Sequence, residues 1–270
     1  MNRAIPRVLS IAGTDPTGGA GVQADLKAIL AAGGYGMSVV TALVAQNTQG
    51  VRSVHIPPVD FLLEQLRAVS DDVHIDVIKV GMLGNAEIIR TVSEWYADIT
   101  APLVLDPVMV ASSGDRLLDS SAEAALRELC GQADLITPNI PELEVLSAEH
   151  LDTAEAALQA AQNFAAATGT HVVVKGGHLS GSEAGNWLVD ATGIVTQVST
   201  PRIPTKNTHG TGCSLSAAVA TRFGQTGDWA EALTWATHWL SEAIAHADAL
   251  EVGQGNGPVD HGVRLRGASS

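Results

Sequence analysis

Val8-Leu9-Ser10-Ile11-Ala12, Gly13-Thr14-Asp15-Pro16-Thr17-Gly18-Gly19 and the run from Ala20 to Ala32 set the fold class of this chain. A short apolar run of strand type enters a turn rich in glycine and proline, and the turn opens into helical spacing. The unit then repeats in kind. Met37 to Ala45 reads as one near-continuous strand, Val54 to Ile56 as a weaker one and Val59 to Val69 as a helix. Val77 to Gly81, Leu103 to Asp106, Leu135 to Thr137 and His171 to Lys175 read as buried strands. Helical spacing separates them at Ala86 to Tyr96, Ser121 to Leu129, Glu142 to Ser147 and Thr153 to Ala167. Such alternation predicts an α/β protein of βαβ units, with a mostly parallel sheet covered by helices on both faces.

The pattern changes near the end. Trp187 to Thr196 has the spacing of two short strands around a turn, which predicts an antiparallel hairpin. Two long helices follow, about Gly212 to Phe223 and Trp229 to Ala247, and Trp235 and Trp239 fall at i and i+4 as a core stripe. The tail from Gly253 reads as a polar, Gly-rich loop with frayed last residues. No repeat or linker divides the chain, so residues 1–270 are expected to form one domain.

Composition narrows the class of function. The 270 residues carry a formal net charge of −14, and their 46% hydrophobic content is ample for a core. With no basic run to offset phosphate repulsion, nucleic-acid binding is not expected. Cys130 and Cys213 stand far apart and form neither a disulfide framework nor a CxxC metal pair, which suits a reducing cytoplasm. The apolar run Val8 to Ala12 is too short for a signal-peptide core, and no stretch approaches the ~20 apolar residues of a membrane span.

Ligands of open parallel sheets sit beyond the carboxyl ends of the strands. Here those ends carry Gly13-Thr14-Asp15, Gln46-Asn47, Gly81-Met82, Asp106-Pro107, Asn139 with Glu142, and Lys175-Gly176-Gly177, a set that predicts a cleft. Lys206-Asn207-Thr208-His209-Gly210-Thr211-Gly212-Cys213-Ser214 then delivers backbone N–H groups into a helix start, which fits either a capped turn or an anion site. Gly19-Ala20-Gly21-Val22-Gln23-Ala24 has the form of a dinucleotide fingerprint. Yet Val39 to Asn47, where the ribose-binding acid belongs, contains no Asp or Glu, and no Gly-Lys-Ser/Thr marks a Walker loop.

Asp106 and Glu142 offer hard oxygen ligands for Mg²⁺, although Asn139-Ile140-Pro141-Glu142 is equally a good helix start. Lys175 can reach a phosphate or simply be solvated. Cys213, in the first turn of its helix, is placed where a thiol pKa should fall, as a base, a nucleophile or only a small apolar residue. Among nine histidines, only His209 lies in a candidate site.

Taken in order, the run Ser10 to Lys27, Lys79-Val80-Gly81-Met82-Leu83, Leu105-Asp106-Pro107-Val108-Met109-Val110, Thr137-Pro138-Asn139-Ile140-Pro141-Glu142, Val174-Lys175-Gly176-Gly177-His178 and Thr205 to Ser214 closely resemble the hydroxymethylpyrimidine/phosphomethylpyrimidine kinases of thiamin biosynthesis, in the ribokinase-like superfamily. The resemblance spans nearly the whole chain. It implies a ribokinase-like three-layer αβα fold, a homodimer, ATP and Mg²⁺ as cofactors, and phosphorylation of 4-amino-5-hydroxymethyl-2-methylpyrimidine to its monophosphate and then its diphosphate.

By the same resemblance, Gly210, Thr211 and Gly212 form an anion hole, and with Thr208 and Lys175 they hold the nucleotide phosphates. Asp106 and Glu142 hold Mg²⁺ directly or through water. Gln46 reads the pyrimidine edge, and Gly13, Ala20, Met82 and Val108 wall the ring. Cys213 stands where most sugar kinases of the superfamily carry an aspartate base, so it either accepts the hydroxyl proton or shapes the pocket. Relatives often carry a lysine near Ser112, in the segment Ala111-Ser112-Ser113-Gly114-Asp115, and its absence bears on the second phosphorylation. The alternative within the superfamily is a pyridoxal or pyridoxine kinase, or dual activity. A catalytically inactive sensor would lack phosphate machinery, whereas Gly210, Gly212, Asp106 and Glu142 are all present.

Overall fold

A computed structural model of the protein describes residues 4–109, 122–178 and 183–267. Among the described residues, the main sheet has eight strands. Six of them, β2 (Tyr35–Val40), β1 (Arg7–Ala12), β5 (Val77–Val80), β6 (Leu103–Leu105), β7 (Leu135–Ile136) and β8 (His171–Lys175), run parallel in that spatial order. A hairpin of β9 (Glu183–Asp190) and β10 (Gly193–Pro201) adds to β8 in antiparallel sense, longer than the expected Trp187 to Thr196.

Alternation along the strands sorts two cores. Leu9, Ile11, Ile78, Val80, Leu103, Leu105, Val172 and Val174 pack against α2 (Val59–Ser70), α3 (Ala86–Tyr96), α4 (Glu123–Cys130), α5 (Ile140–Ser147) and α6 (Ala154–Thr168). Val8, Val77, Val104, Leu135 and Val173 face the other way, onto α1 (Gly21–Ala31), α7 (Thr211–Thr226), α8 (Trp229–Ala245) and the short α9 (Val263–Gly267). The period of two then decides where the polar residues go. Ser10, Lys79, Asp106 and Lys175 share parity with the second set, so they lie on the face covered by α1 and α7. Ala217, Ala218, Val219 and Ala220 are fully buried, and their small size lets α7 lie close against that face.

Two sequence expectations are corrected here. The apolar run Met37 to Ala45 is not one strand: β2 ends at Val40, and β3 (Leu43–Asn47) forms a separate antiparallel pair with β4 (Gly50–His55). Local hydrogen bonds explain the break. The Gln65 side chain pairs with both the N–H and the C=O of Val40, and the Thr41 hydroxyl donates to the Met82 carbonyl at 2.6 Å. Thr14 then draws the chain away from the sheet, its N–H donating to the Ala42 carbonyl and its hydroxyl accepting from the Val44 N–H. Hydropathy is blind to such a departure because Ala42 and Val44 remain buried.

The tail is the second correction. Pro258, Val259, Asp260 and His261 are buried, and α9 follows them. Of the tryptophan stripe, Trp239 is fully buried, while Trp235 is half-buried with the Arg222 and Arg264 guanidinium groups over its ring.

Candidate active site

The loop before α7 ends in Gly210, whose φ of 79° is left-handed and whose missing side chain leaves the helix start without a side-chain cap. Glycine is required there. A Cβ at position 210 would lie 1.7 Å from the carbonyl oxygen of Gly19, in the loop that follows β1. The two loops are tied by Asp15. Its Oδ2 accepts from the Gly19 N–H, the Ala20 N–H and His209 Nε2 at 3.0, 2.8 and 2.8 Å, and its Oδ1 accepts from the N–H and hydroxyl of Thr17. Burial alone would raise the Asp15 pKa, but the hydrogen bonds from His209 and Thr17 bring it down to about 2. Both residues were visible in the sequence as loop residues, and their contact across 194 positions was not.

Opposite the α7 start stand Asp106, Lys175 and Glu142. Lys175 Nζ donates to Asp106 Oδ1 at 2.8 Å and lies 3.8 Å from Glu142 Oε2, and the Thr137 hydroxyl donates to Asp106 Oδ1 at 3.0 Å. A Cβ on Gly212 would sit 3.3 Å from Asp106 Oδ2 and 3.4 Å from Lys175 Nζ. Hence the first turn of α7 faces this cluster directly. Glu142 also closes the helix box predicted from Asn139-Ile140-Pro141-Glu142: Asn139 accepts from its N–H, and it accepts from the Asn139 N–H. The cap and the site are thus one residue. Burial pushes the Glu142 carboxyl up to about 7, against the opposing pull of Lys175. Burial likewise works against charge on Lys175, but Asp106 and Glu142 outweigh it and hold the ammonium above its ordinary range.

Among the described residues, no three His, Cys, Asp or Glu side chains gather as a metal cluster. Two carboxylates beside an uncapped helix start suit Mg²⁺ nonetheless, since that ion commonly takes one or two carboxylates and completes its shell with water and phosphate.

The residues expected around the ring divide into two groups. Gly13 and Met82 meet, a Cβ on Gly13 lying 3.0 Å from the Met82 sulfur, and Met82 packs with Ala42 and Val44 under the β3–β4 hairpin. Gln46 joins them from that hairpin, its Nε2 reaching the Thr14 carbonyl at 3.4 Å. Ala20 is fixed by Asp15 at the start of α1. Val108, half-buried, stands at the neighbouring strand end with its N–H on the Asp106 carbonyl. Thr208 is exposed, and its carbonyl accepts from the Thr211 N–H. Ser112 and its neighbours lie outside the described residues.

Cys213 departs from expectation. Burial pushes its thiol up to about 11, with Asp25 and Asp106 acting in the same direction, against the opposing pull of Lys79 and a hydrogen bond from the Gly21 N–H. At neutral pH the sulfur is protonated. The ion pair of Lys79 and Asp25 beneath it leaves no signal in the sequence. Lys79 Nζ lies 2.8 Å from both carboxylate oxygens of Asp25, the Ser10 hydroxyl donates to Asp25 at 2.6 Å, and all three residues are fully buried.

Residues 15–260 match the phosphomethylpyrimidine kinase family, and the chain belongs to that family. It is 49% identical to the hydroxymethylpyrimidine/phosphomethylpyrimidine kinase of Escherichia coli over 94% of this chain and 96% of that protein. It is 60% identical to a thiamine biosynthesis multifunctional protein of Corynebacterium efficiens, over 95% of this chain but only 35% of that longer protein. Among solved structures, the pyridoxal kinase from Staphylococcus aureus in complex with AMP-PCP and pyridoxal superimposes with a TM-score of 0.86 at 32% identity, covering 98% of this chain and 96% of that one. The mostly parallel sheet and its helices are therefore of the ribokinase-like type.

The raised thiol makes a direct prediction. The rate at which iodoacetamide alkylates Cys213 should still be climbing at pH 10, with its midpoint near 11, read by mass spectrometry of the 213-containing peptide. A midpoint below the ordinary thiol value of about 8.5 would show a thiolate at this position instead.

Proposed function

We propose that this member of the phosphomethylpyrimidine kinase family uses ATP to phosphorylate the hydroxymethyl oxygen of 4-amino-5-hydroxymethyl-2-methylpyrimidine, and then the monophosphate, giving the diphosphate for thiamin biosynthesis. The observation that carries this reading is the close approach of Gly212, in an uncapped helix start, to Asp106 and Lys175. Phosphoryl transfer needs positioning and charge stabilisation more than covalent help, and this cluster supplies both.

In the proposed reaction the alcohol oxygen attacks the γ-phosphorus, the bond to the bridging oxygen breaks and ADP departs. The N–H groups of Gly210 and Gly212 stabilise charge on the phosphoryl oxygens, and the Thr211 N–H, which meets the Thr208 carbonyl at 3.3 Å in the free protein, would turn from that carbonyl to join them. Lys175 neutralises the nucleotide phosphates. Asp106 and Glu142 would hold Mg²⁺, directly or through water, and the ion would supply charge neutralisation between the phosphates. Gln46 presents an amide donor and acceptor to the 4-amino group and a ring nitrogen, while Gly13, Ala20, Met82 and Val108 wall the ring. A Cys213 thiol pushed up to about 11 supports transfer of the alcohol proton to a phosphoryl oxygen of the product, with the sulfur shaping the pocket.

The S. aureus pyridoxal kinase supports a second reading, in which a hydroxymethyl group on a pyridine ring is phosphorylated. The pyrimidine is favoured because the E. coli pyrimidine kinase is the nearer sequence, at 49% against 32% identity. The 270 residues would act as a single kinase domain that pairs as a homodimer. Cytoplasmic residence fits two free cysteines, and no helix among the described residues is long and apolar enough to cross a membrane.

Incubation with the pyrimidine alcohol, ATP and Mg²⁺ should yield both mono- and diphosphate by mass spectrometry, with a higher kcat/KM than pyridoxal gives. A higher kcat/KM on pyridoxal would replace the first reading by the second. Asp106→Asn should raise the Mg²⁺ concentration for half-maximal rate by about tenfold or more. An unchanged Mg²⁺ titration would remove Asp106 from the metal site.

A further inference from the structure

The β3–β4 hairpin that carries Gln46 is weakly held by its own packing. It has two strands and stands apart from the main sheet, and Leu43, Ala45, Arg52, Ser53, Val54 and His55 on it are exposed. Two-stranded hairpins are marginal in isolation. Its turn, however, meets a distant part of the chain. Thr48 Oγ1 accepts from the Gly255 N–H at 3.1 Å, and the Thr48 carbonyl accepts from the Asn256 N–H at 2.9 Å. The contact is so close that a Cβ on Gly255 would lie 1.9 Å from the Thr48 carbonyl oxygen.

The same segment continues to the phosphate side. The Gly257 N–H donates to Asn207 Oδ1 at 2.8 Å, and the Gly257 carbonyl accepts from the His209 N–H at 3.0 Å. Asp248 anchors Asn207 through Nδ2 at 2.7 Å and also accepts from the Thr205 hydroxyl. His209 then reaches Asp15 and precedes Gly210. One backbone segment, 253–257, thus joins the hairpin to the loop that starts α7.

We propose that Thr48 is a positioning residue, which through Gly255 and Asn256 sets where Gln46 stands relative to the start of α7. Ring recognition and presentation of the hydroxymethyl oxygen to the phosphoryl group are then fixed by the same tie. The inference rests on Gln46 contacting the pyrimidine, as proposed above. Thr48 touches no reacting atom; it acts on the hairpin.

Thr48→Val keeps the shape and removes the acceptor, whereas Thr48→Ser keeps both the acceptor and the tie. In steady-state kinetics, Thr48→Val should raise KM for the pyrimidine alcohol about five- to tenfold, the scale of one net hydrogen bond, with KM for ATP unchanged and Thr48→Ser near wild type. Gly255→Ala should give the same split more strongly. Amide hydrogen exchange across residues 43–55 should quicken in Thr48→Val, which reads the tie whatever Gln46 does. Wild-type hairpin exchange in Thr48→Val, or an equal rise in both KM values, would overturn the inference. Gln46→Ala measured alongside separates the two ideas: an unchanged pyrimidine KM there would sink the role of Gln46, and the exchange data would still decide the tie.

Discussion

One carboxylate, that of Asp15, holds the two glycine loops of this protein in contact. It accepts hydrogen bonds from three backbone N–H groups and one hydroxyl of its own loop and from His209 of the other, all within 3.0 Å. That tie helps hold Gly210 against Gly19 at a distance only glycine tolerates. Everything downstream depends on this crossing. It aims the first turn of α7 at Asp106 and Lys175, and it leaves the helix start free of a side-chain cap. A buried carboxylate is costly unless fully hydrogen-bonded, and Asp15 meets that condition with five bonds drawn from both loops.

Charge buried at the strand ends follows one rule. Among the described residues, the charged groups buried beneath α1 and α7 are paired: Lys79 has Asp25, and Lys175 has Asp106 with Glu142 nearby. Such pairs seldom add much stability over well-packed apolar residues, so their value lies in the field they create. That field is not uniform in effect. It keeps Lys175 charged, only partly offsets the burial that pushes Glu142 up to about 7, and fails to ionise Cys213 because desolvation of the sulfur is the larger influence.

Much of this was legible in the sequence, for identifiable reasons. Parallel strands buried on both faces write themselves as continuous apolar runs, so β1, β5, β6, β7 and β8 and the polar residues at their ends could be read directly. Asp106, Glu142 and Lys175 were expected at neighbouring strand ends and meet there. What could not be read depends on distant contacts. The break after Val40 is made by Gln65, Met82 and Thr14, none of which alters the hydropathy of the run. The Gly253 to Gly257 tail reads as loose loop because glycine usually signals freedom; here it signals close approach to Thr48 and Asn207. For Cys213 the helix start is visible in sequence, whereas the desolvation and the nearby Asp25 and Asp106 that push its thiol up are not.

The central claim is that the start of α7, facing Asp106 and Lys175, is where the phosphoryl group is transferred, and Gly212→Ala tests it most directly. The added methyl would lie 3.3 Å from Asp106 Oδ2 and 3.4 Å from Lys175 Nζ while suiting the helix itself. In a protein that still folds, kcat on the pyrimidine alcohol should fall by about 100-fold, as when a phosphate-stabilising donor is displaced. Wild-type kcat in a folded Gly212→Ala protein would contradict it.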